Sequence, residues 1–275
     1  MASTKTDLVR RQRRWADAHG VGYDARGFVR DLNDNLRQPL PGPLLAELAR
    51  GSELDATASR PPRLHSLLSS AALVVNVFGY WRDRDATPLV RALGLGEDAR
   101  DLLLRFEEPL PTGLAGDPPT ADVTLHWPSG RLVSIESKFA EWLLRRPHHK
   151  RVFKDKYFPA DGHVWAEAGL PRCQALADEL QSGAERFRFL HAAQLLKHAL
   201  GLAKSGAREW GLVYLYFEQP GREAPTHRAE LERVVARLTA EVDLRVSTYQ
   251  QLWAALAQTS NVAADYRHYL SQRYG

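Results

Sequence analysis

The stretch Ala-Asp-Val-Thr-Leu-His-Trp-Pro-Ser-Gly-Arg-Leu-Val-Ser-Ile-Glu-Ser-Lys-Phe, residues 121–139, decides how this chain folds. Apolar and polar residues alternate on both sides of Pro128-Ser129-Gly130, the pattern of two strands joined by a tight turn. A three-residue loop pairs Trp127 with Arg131 and, counting outward, sets Asp122 opposite Glu136. Side chains two apart share a face. Asp122, Thr124 and His126 therefore lie with Leu132, Ser134, Glu136 and Lys138. Val123, Leu125, Trp127, Val133, Ile135 and Phe139 make the opposite, core face. A two-residue loop would slip the register by one and send Asp122 to the wrong side.

Outward from the hairpin, the periodicity predicts an α/β protein. Helical fragments are expected at 8–19, 25–35 and 43–50, separated by breakers, then a linker at 55–62 ending in Arg60-Pro61-Pro62. A helix over 64–79 carries the apolar stripe Leu67, Leu68, Ala71, Ala72, Val75 and Phe78. Residues 102–108 read as a short strand or a helix end, followed by a loop rich in proline and glycine. Downstream come a helix at 184–204, a strand at 211–217, a helix at 228–241, a strand at 244–247 and a helix at 249–258. That order implies a mixed central β-sheet, an antiparallel meander followed by parallel strands, flanked by helices. The expected division is an N-terminal helical extension over 1–60 and a core domain over 61–275.

Composition narrows the function classes. With 275 residues, 44% hydrophobic and 25% charged, the chain is neither disordered nor collagen-like. One cysteine, Cys173, excludes an internal disulfide and a multi-cysteine zinc site. The longest apolar run, 71–78, is broken by Asn76 and is too short for a membrane span, and residues 1–14 lack the apolar core of a secretory leader. A soluble cytoplasmic protein with no membrane partner is expected. The net charge is only +4, but 30 of the 37 basic residues are arginine. Arginine's fork suits phosphate oxygens, although a GC-rich genome produces the same bias. Distribution says more. Arg145, Arg146, Lys150, Arg151, Lys154 and Lys156 face only Asp155 over 142–156, and Arg10, Arg11, Arg13 and Arg14 form a second cluster. Adjacent histidines such as His148-His149 rarely chelate in a basic loop. Gly94-x-Gly96-x-x-Ala99 lacks the preceding strand of a dinucleotide fingerprint, and no Gly-x-Ser-x-Gly or His-Glu-x-x-His occurs.

The hairpin brings Asp122, Glu136 and Lys138 together. Two carboxylates at cross-strand separation repel unless a divalent cation reverses the interaction, and magnesium suits all-oxygen ligation. Lys138 is placed to orient or deprotonate a water and to offset charge on a phosphorane, which is metal-assisted phosphodiester hydrolysis. Asp122 followed by Glu136-Ser137-Lys138 resembles the D…(D/E)-x-K signature of the PD-(D/E)XK nuclease superfamily, with Ala121 in place of the usual proline. Within it, the helix residues 69–79 and the Gln-Leu-Leu-Lys-His run at 194–198 resemble a bacterial restriction-endonuclease-like branch.

The resemblance covers roughly residues 60–258 and implies a magnesium-dependent endonuclease acting on DNA, with manganese able to substitute. It implies metal ligation by Asp122, Glu136, the Ser137 carbonyl and one of Glu107 or Glu108, with Glu107 favoured. Gln194 and Lys197 resemble polar positions that touch the scissile phosphate or brace the lysine. Asn76 either reaches the site or bonds a helix neighbour. For Arg145, Arg146, Lys150, Arg151 and Lys154, a DNA-contacting loop stands against a solvated surface. A catalytically silent DNA-binding or assembly subunit, and a nuclease for RNA or single strands, stay open. Duplex cleavage by analogy calls for two active sites and hence a homodimer.

Overall fold

Pro128, Ser129 and Gly130 do form a three-residue loop: the Trp127 amide donates to the Arg131 carbonyl at 2.9 Å and the Gly130 amide to the Trp127 carbonyl at 2.9 Å. Gly130 supplies the left-handed φ of +87° that this turn requires. The computed structural model describes residues 4–57, 59–96, 99–144, 152–160 and 162–275. In it the loop joins the second and third of five strands, β1 (Leu103–Pro109), β2 (Thr120–His126), β3 (Arg131–Lys138), β4 (Glu209–Tyr216) and β5 (Leu244–Thr248). They pair in chain order, antiparallel from β1 to β3 and parallel from β3 to β5. Val123 pairs with Ile135 and His126 with Leu132, the register expected from the loop length.

Helices cover the sheet. Along the chain lie α1 (Thr4–Ala18), α2 (Gly42–Leu48), α3 (Ser70–Phe78), α4 (Thr87–Ala92) and α5 (Pro171–Ser182). Then follow α6 (Ala192–Ala203), α7 (Ala224–Leu238), α8 (Tyr249–Ala257) and α9 (Ala264–Tyr274). Helix α6 crosses over between the parallel strands β3 and β4 and contacts both, while α3 packs on β2 and β3. With both faces covered, the polar residues of the hairpin are enclosed too: Thr124, Ser134 and Glu136 are as buried as Val123 and Ile135. Leu8, Leu36, Leu44 and Leu48 join the same core as the sheet.

Several elements differ from expectation, each for a local reason. Residues 25–35 are not a helix. The Asp24 carboxylate accepts from the Arg26 and Phe28 amides, Tyr23 bridges Val29, and only Leu32–Asn35 winds into a single tight turn. Helix α3 starts at Ser70 rather than 64, because Ser69 caps it by accepting from the Ala72 amide. Helix α6 starts at Ala192 rather than 184. The buried Glu230 of α7 captures the amides of Arg188, Phe189 and Leu190 at 2.6, 3.0 and 2.9 Å and holds that segment outside any helix. Helices α4, α5 and α9 had no sequence expectation. Asn76 is a buried amide that receives the Arg37 amide and donates to the Asn35 carbonyl and the Tyr274 hydroxyl. It ties α3 to the N-terminal segment and to α9.

Just after β3 the chain is anchored by Trp142. Its indole donates to the Phe217 carbonyl at 2.9 Å, and the ring stacks on His227 of α7 with centroids 4.5 Å apart. Burial pushes His227 down to about 3 from 6.5. Below pH 6.5 the unfolded chain therefore takes up a proton that the folded protein refuses. This single group removes about 1.4 kcal/mol of stability per pH unit between those values. His227→Phe, which keeps a ring on Trp142, is expected to flatten the acid limb by one proton in urea titrations run from neutral pH downward. Equal slopes for the two proteins would assign the acid sensitivity to other groups.

Candidate active site

The β2–β3 ladder ends at Val123 and Ile135. Beyond it the Ser137 amide, which needs an acceptor, donates to Oδ2 of Asp122 at 2.7 Å. Asp122 is thereby drawn against the Glu136-Ser137-Lys138 end of β3. The Ser137 hydroxyl bonds the buried Tyr249 hydroxyl at 2.7 Å, so α8 steadies the strand from behind. The Phe217 amide takes the Lys138 carbonyl at 2.8 Å. Alternation leaves the Glu136 and Lys138 side chains on the opposite face. There the Lys138 ammonium donates to Oε1 of Glu136.

Strand β1 contributes Glu107. Phe106 pairs with Val123 and Glu108 with Ala121, but the residues between them, Glu107 and Asp122, leave the ladder, and Glu107 adopts a left-handed φ of +45°. For a residue with a side chain that conformation costs on the order of 1–2 kcal/mol. It separates the two glutamates. The Glu108 carboxylate bonds the Thr124 hydroxyl and sits 2.6 Å from Nε2 of His126, whereas the Glu107 carboxylate lies against Gly51, where any Cβ would collide with it.

Negative charge dominates the site. Burial first, then Glu53 and Glu136, push Glu107 up to about 7. Burial and Glu136 push Asp122 well above the usual carboxylate range, against the opposing pull of Lys138 and the Ser137 amide. For Lys138, burial disfavours the ammonium, yet Glu136, Asp122 and Glu141 outweigh it and hold the proton more tightly than usual. Glu53, in the turn after α2, is raised by burial and by Glu141 and is paired with Arg63 at 3.3 Å.

The crossover helix reaches the site through His198. This buried residue places Nδ1 3.3 Å from Oε2 of Glu136. Burial lowers the His198 pKa more than Glu136 raises it. Gln194 is one turn earlier on the same helix face, about 6 Å along, and its side-chain oxygen contacts Nδ1 of His191 at 3.0 Å. Lys197 is half-buried on the adjoining flank and Lys154 is exposed. Arg145, Arg146, Lys150 and Arg151 lie outside the described residues. The structure thus gathers Glu107, Asp122, Glu136, Ser137 and Lys138, and adds Glu53, Glu141 and His198. His198 closes the Gln-Leu-Leu-Lys-His run that the sequence already singles out, on the same helix flank as Gln194. Glu53 had no such signal, because only the tertiary fold brings its turn to β1.

The donor set suits a hard divalent cation. It consists of carboxylate oxygens around a buried Oε2 of Glu136 that accepts no hydrogen bond among the described residues. Among those residues no three acidic, histidine or cysteine side chains are already drawn to coordination distance. An ion would have to pull the carboxylates together against the repulsion that now raises Glu107 and Asp122.

The acids and the lysine thus gather where the antiparallel meander of the sheet meets its parallel strands. The family model described as Restriction Endonuclease associating with ARP matches residues 33–275, and the chain belongs to that family. No curated protein and no solved structure matches it. No helix among the described residues is long and apolar enough to cross a membrane.

The elevated Glu107 pKa makes a signed prediction. A carboxyl raised from 4.5 to about 7 contributes its full stability below pH 4.5 and loses it as pH rises to 7. Glu107→Gln should therefore melt higher than the wild type at pH 8, by up to roughly 3 kcal/mol, and level with it near pH 4.5. A variant less stable at pH 8 would mean that the charge is not the destabilising element.

Proposed function

We propose that this protein is a metal-dependent endonuclease of the PD-(D/E)XK type that hydrolyses DNA phosphodiester bonds. The observation that carries the reading is the meeting of Asp122, Glu136 and Lys138 at one strand end, inside a surplus of buried carboxylates. Membership in a restriction-endonuclease family supports it. Asp122, Glu136, Glu107 and the Ser137 carbonyl would hold magnesium, or manganese in its place. When bound, the ion polarises the phosphate and makes a coordinated water a better nucleophile.

The chain's own groups do the rest. Lys138 stays protonated on Nζ beside Glu136 and offers a fixed positive charge where the transition state gains negative charge. Its raised pKa favours this charge-stabilising role over that of a proton acceptor. Lys138 holds Oε1 of the Glu136 carboxylate, and His198 lies beside the Oε2 that is left without a hydrogen bond. Gln194 and Lys197, on the helix that covers the sheet, would brace Lys138 or meet the scissile phosphate. The basic run Arg145, Arg146, Lys150, Arg151 and Lys154 follows the catalytic strand directly and suits the DNA backbone. Two such sites, in a homodimer, would cut both strands.

The primary test is magnesium-dependent cleavage of plasmid, linear duplex, single-stranded DNA and RNA in parallel. Asp122→Asn and Glu136→Gln are expected to lower turnover at least a thousandfold, about 4 kcal/mol of barrier, without unfolding the protein. Lys138→Ala should lower kcat while leaving duplex affinity within about twofold. Full activity in any of the three would refute the assignment.

Neutralising Arg145, Arg146, Lys150 and Arg151 should weaken duplex binding regardless of sequence. The log–log salt slope should become shallower by up to about 3.6, at about 0.9 per phosphate. A slope equal to that of the wild type would return this run to solvent.

A further inference from the structure

The second arginine cluster of the sequence lies on α1, ahead of the residues that the family model matches. One face of this helix is spent on the fold. Leu8, Gln12, Trp15 and Ala16 are buried, Gln12 donates to the Arg273 carbonyl, and the Arg273 guanidinium lies 4.3 Å over Trp15. Its first residue is seated on the turn after β4, where Thr4 bonds Glu223 and a Cβ on Gly221 would collide with Thr4. Arg10, Arg11 and Arg14 share the flank beside that buried face, at helical spacing.

Arg11 fixes the place of this flank. Its guanidinium lies 4.9 Å over the Phe217 ring and donates to Gln219 at 3.0 Å. Phe217 is the residue whose amide holds the Lys138 carbonyl. Arg11 is thus linked to the Lys138 end of β3 through a single residue, Phe217. Among the described residues neither Arg11 nor Arg14 has a carboxylate partner, and Arg10 has the exposed Asp7 at 3.0 Å. The apolar face of α1 is already covered, so the helix has nothing to insert into a lipid surface.

We infer that Arg10, Arg11 and Arg14 form a phosphate-binding stripe that grips the DNA backbone from the sheet face opposite Glu136 and Lys138. This rests on the nuclease reading and extends it to a helix outside the matched family region.

The test is duplex binding by fluorescence anisotropy between about 50 and 200 mM salt, with calcium replacing magnesium to prevent cleavage. Arg10→Gln/Arg11→Gln/Arg14→Gln should lower the log–log slope by about 2.7, at about 0.9 per phosphate. Arg10→Gln/Arg14→Gln changes only exposed side chains and should lower the slope by about 1.8 with an unchanged thermal melt. In cleavage assays the double variant should raise KM at least about tenfold and leave kcat unaltered. It decides the matter if Arg11→Gln disturbs folding. Wild-type slopes in the double variant would overturn the stripe and leave the nuclease standing. A wild-type protein that binds no duplex at any salt would overturn both.

Discussion

The hydrogen bond from the Ser137 amide to the Asp122 carboxylate stands where the sheet and the chemistry meet. A strand amide left without an acceptor in this enclosed position would be costly. Asp122 satisfies it with a side chain, which ends the β2–β3 ladder and holds a carboxylate beside Glu136. Tyr249 and Phe217 secure the same few residues of β3 from the other side. With the backbone at 137 and 138 held this way, the Glu136 and Lys138 side chains are free to serve the site.

Around that bond the protein tolerates two unfavourable arrangements. Glu107 holds a left-handed backbone, and several acids stand within mutual repulsion in a place poor in water. Neither helps folding, and both favour whatever positive charge enters the site. Sites that bind strongly charged ligands are commonly less stable when empty, and the scaffold compensates elsewhere. Here the compensation includes the β3–α6–β4 crossover, whose helix faces Glu136 with His198, and the buried Glu230, which satisfies three amides just before α6 begins.

The hairpin was legible because its information is local. Pro128-Ser129-Gly130 specified the loop, the loop specified the register, and the register aligned Asp122 with Glu136. The mixed sheet was legible for the same reason, since helix and strand periods alternate along the chain. What could not be read depends on tertiary structure. The flanking helices already implied that both faces of the hairpin are covered, but which side chains of α6 meet Glu136 is set only by the packing of that helix. Glu53 reaches Glu107 only through the packing of α2 on β1. The segment at 184–191 has helical composition, but a glutamate some forty residues later takes its amides. Of the two candidate glutamates on β1, alternation alone allowed either; the left-handed turn at Glu107 is what separates them.

Helices α1 and α9 close the molecule with contacts between residues very far apart in sequence. The Gln12 side chain bonds the Arg273 carbonyl across 261 residues, and Arg273 returns to Asn35 across 238. Closure entropy grows only with the logarithm of loop length, so at equilibrium this seam is little harder to form than a loop half as long. Kinetics are less forgiving, because contacts of such separation form after local ones. The hairpin that carries the acids can find its register early, as an isolated piece of chain, while the clasp between α1 and α9 waits for most of the core. Sequence separation alone thus ranks the hairpin among the early contacts and the α1–α9 clasp among the late ones.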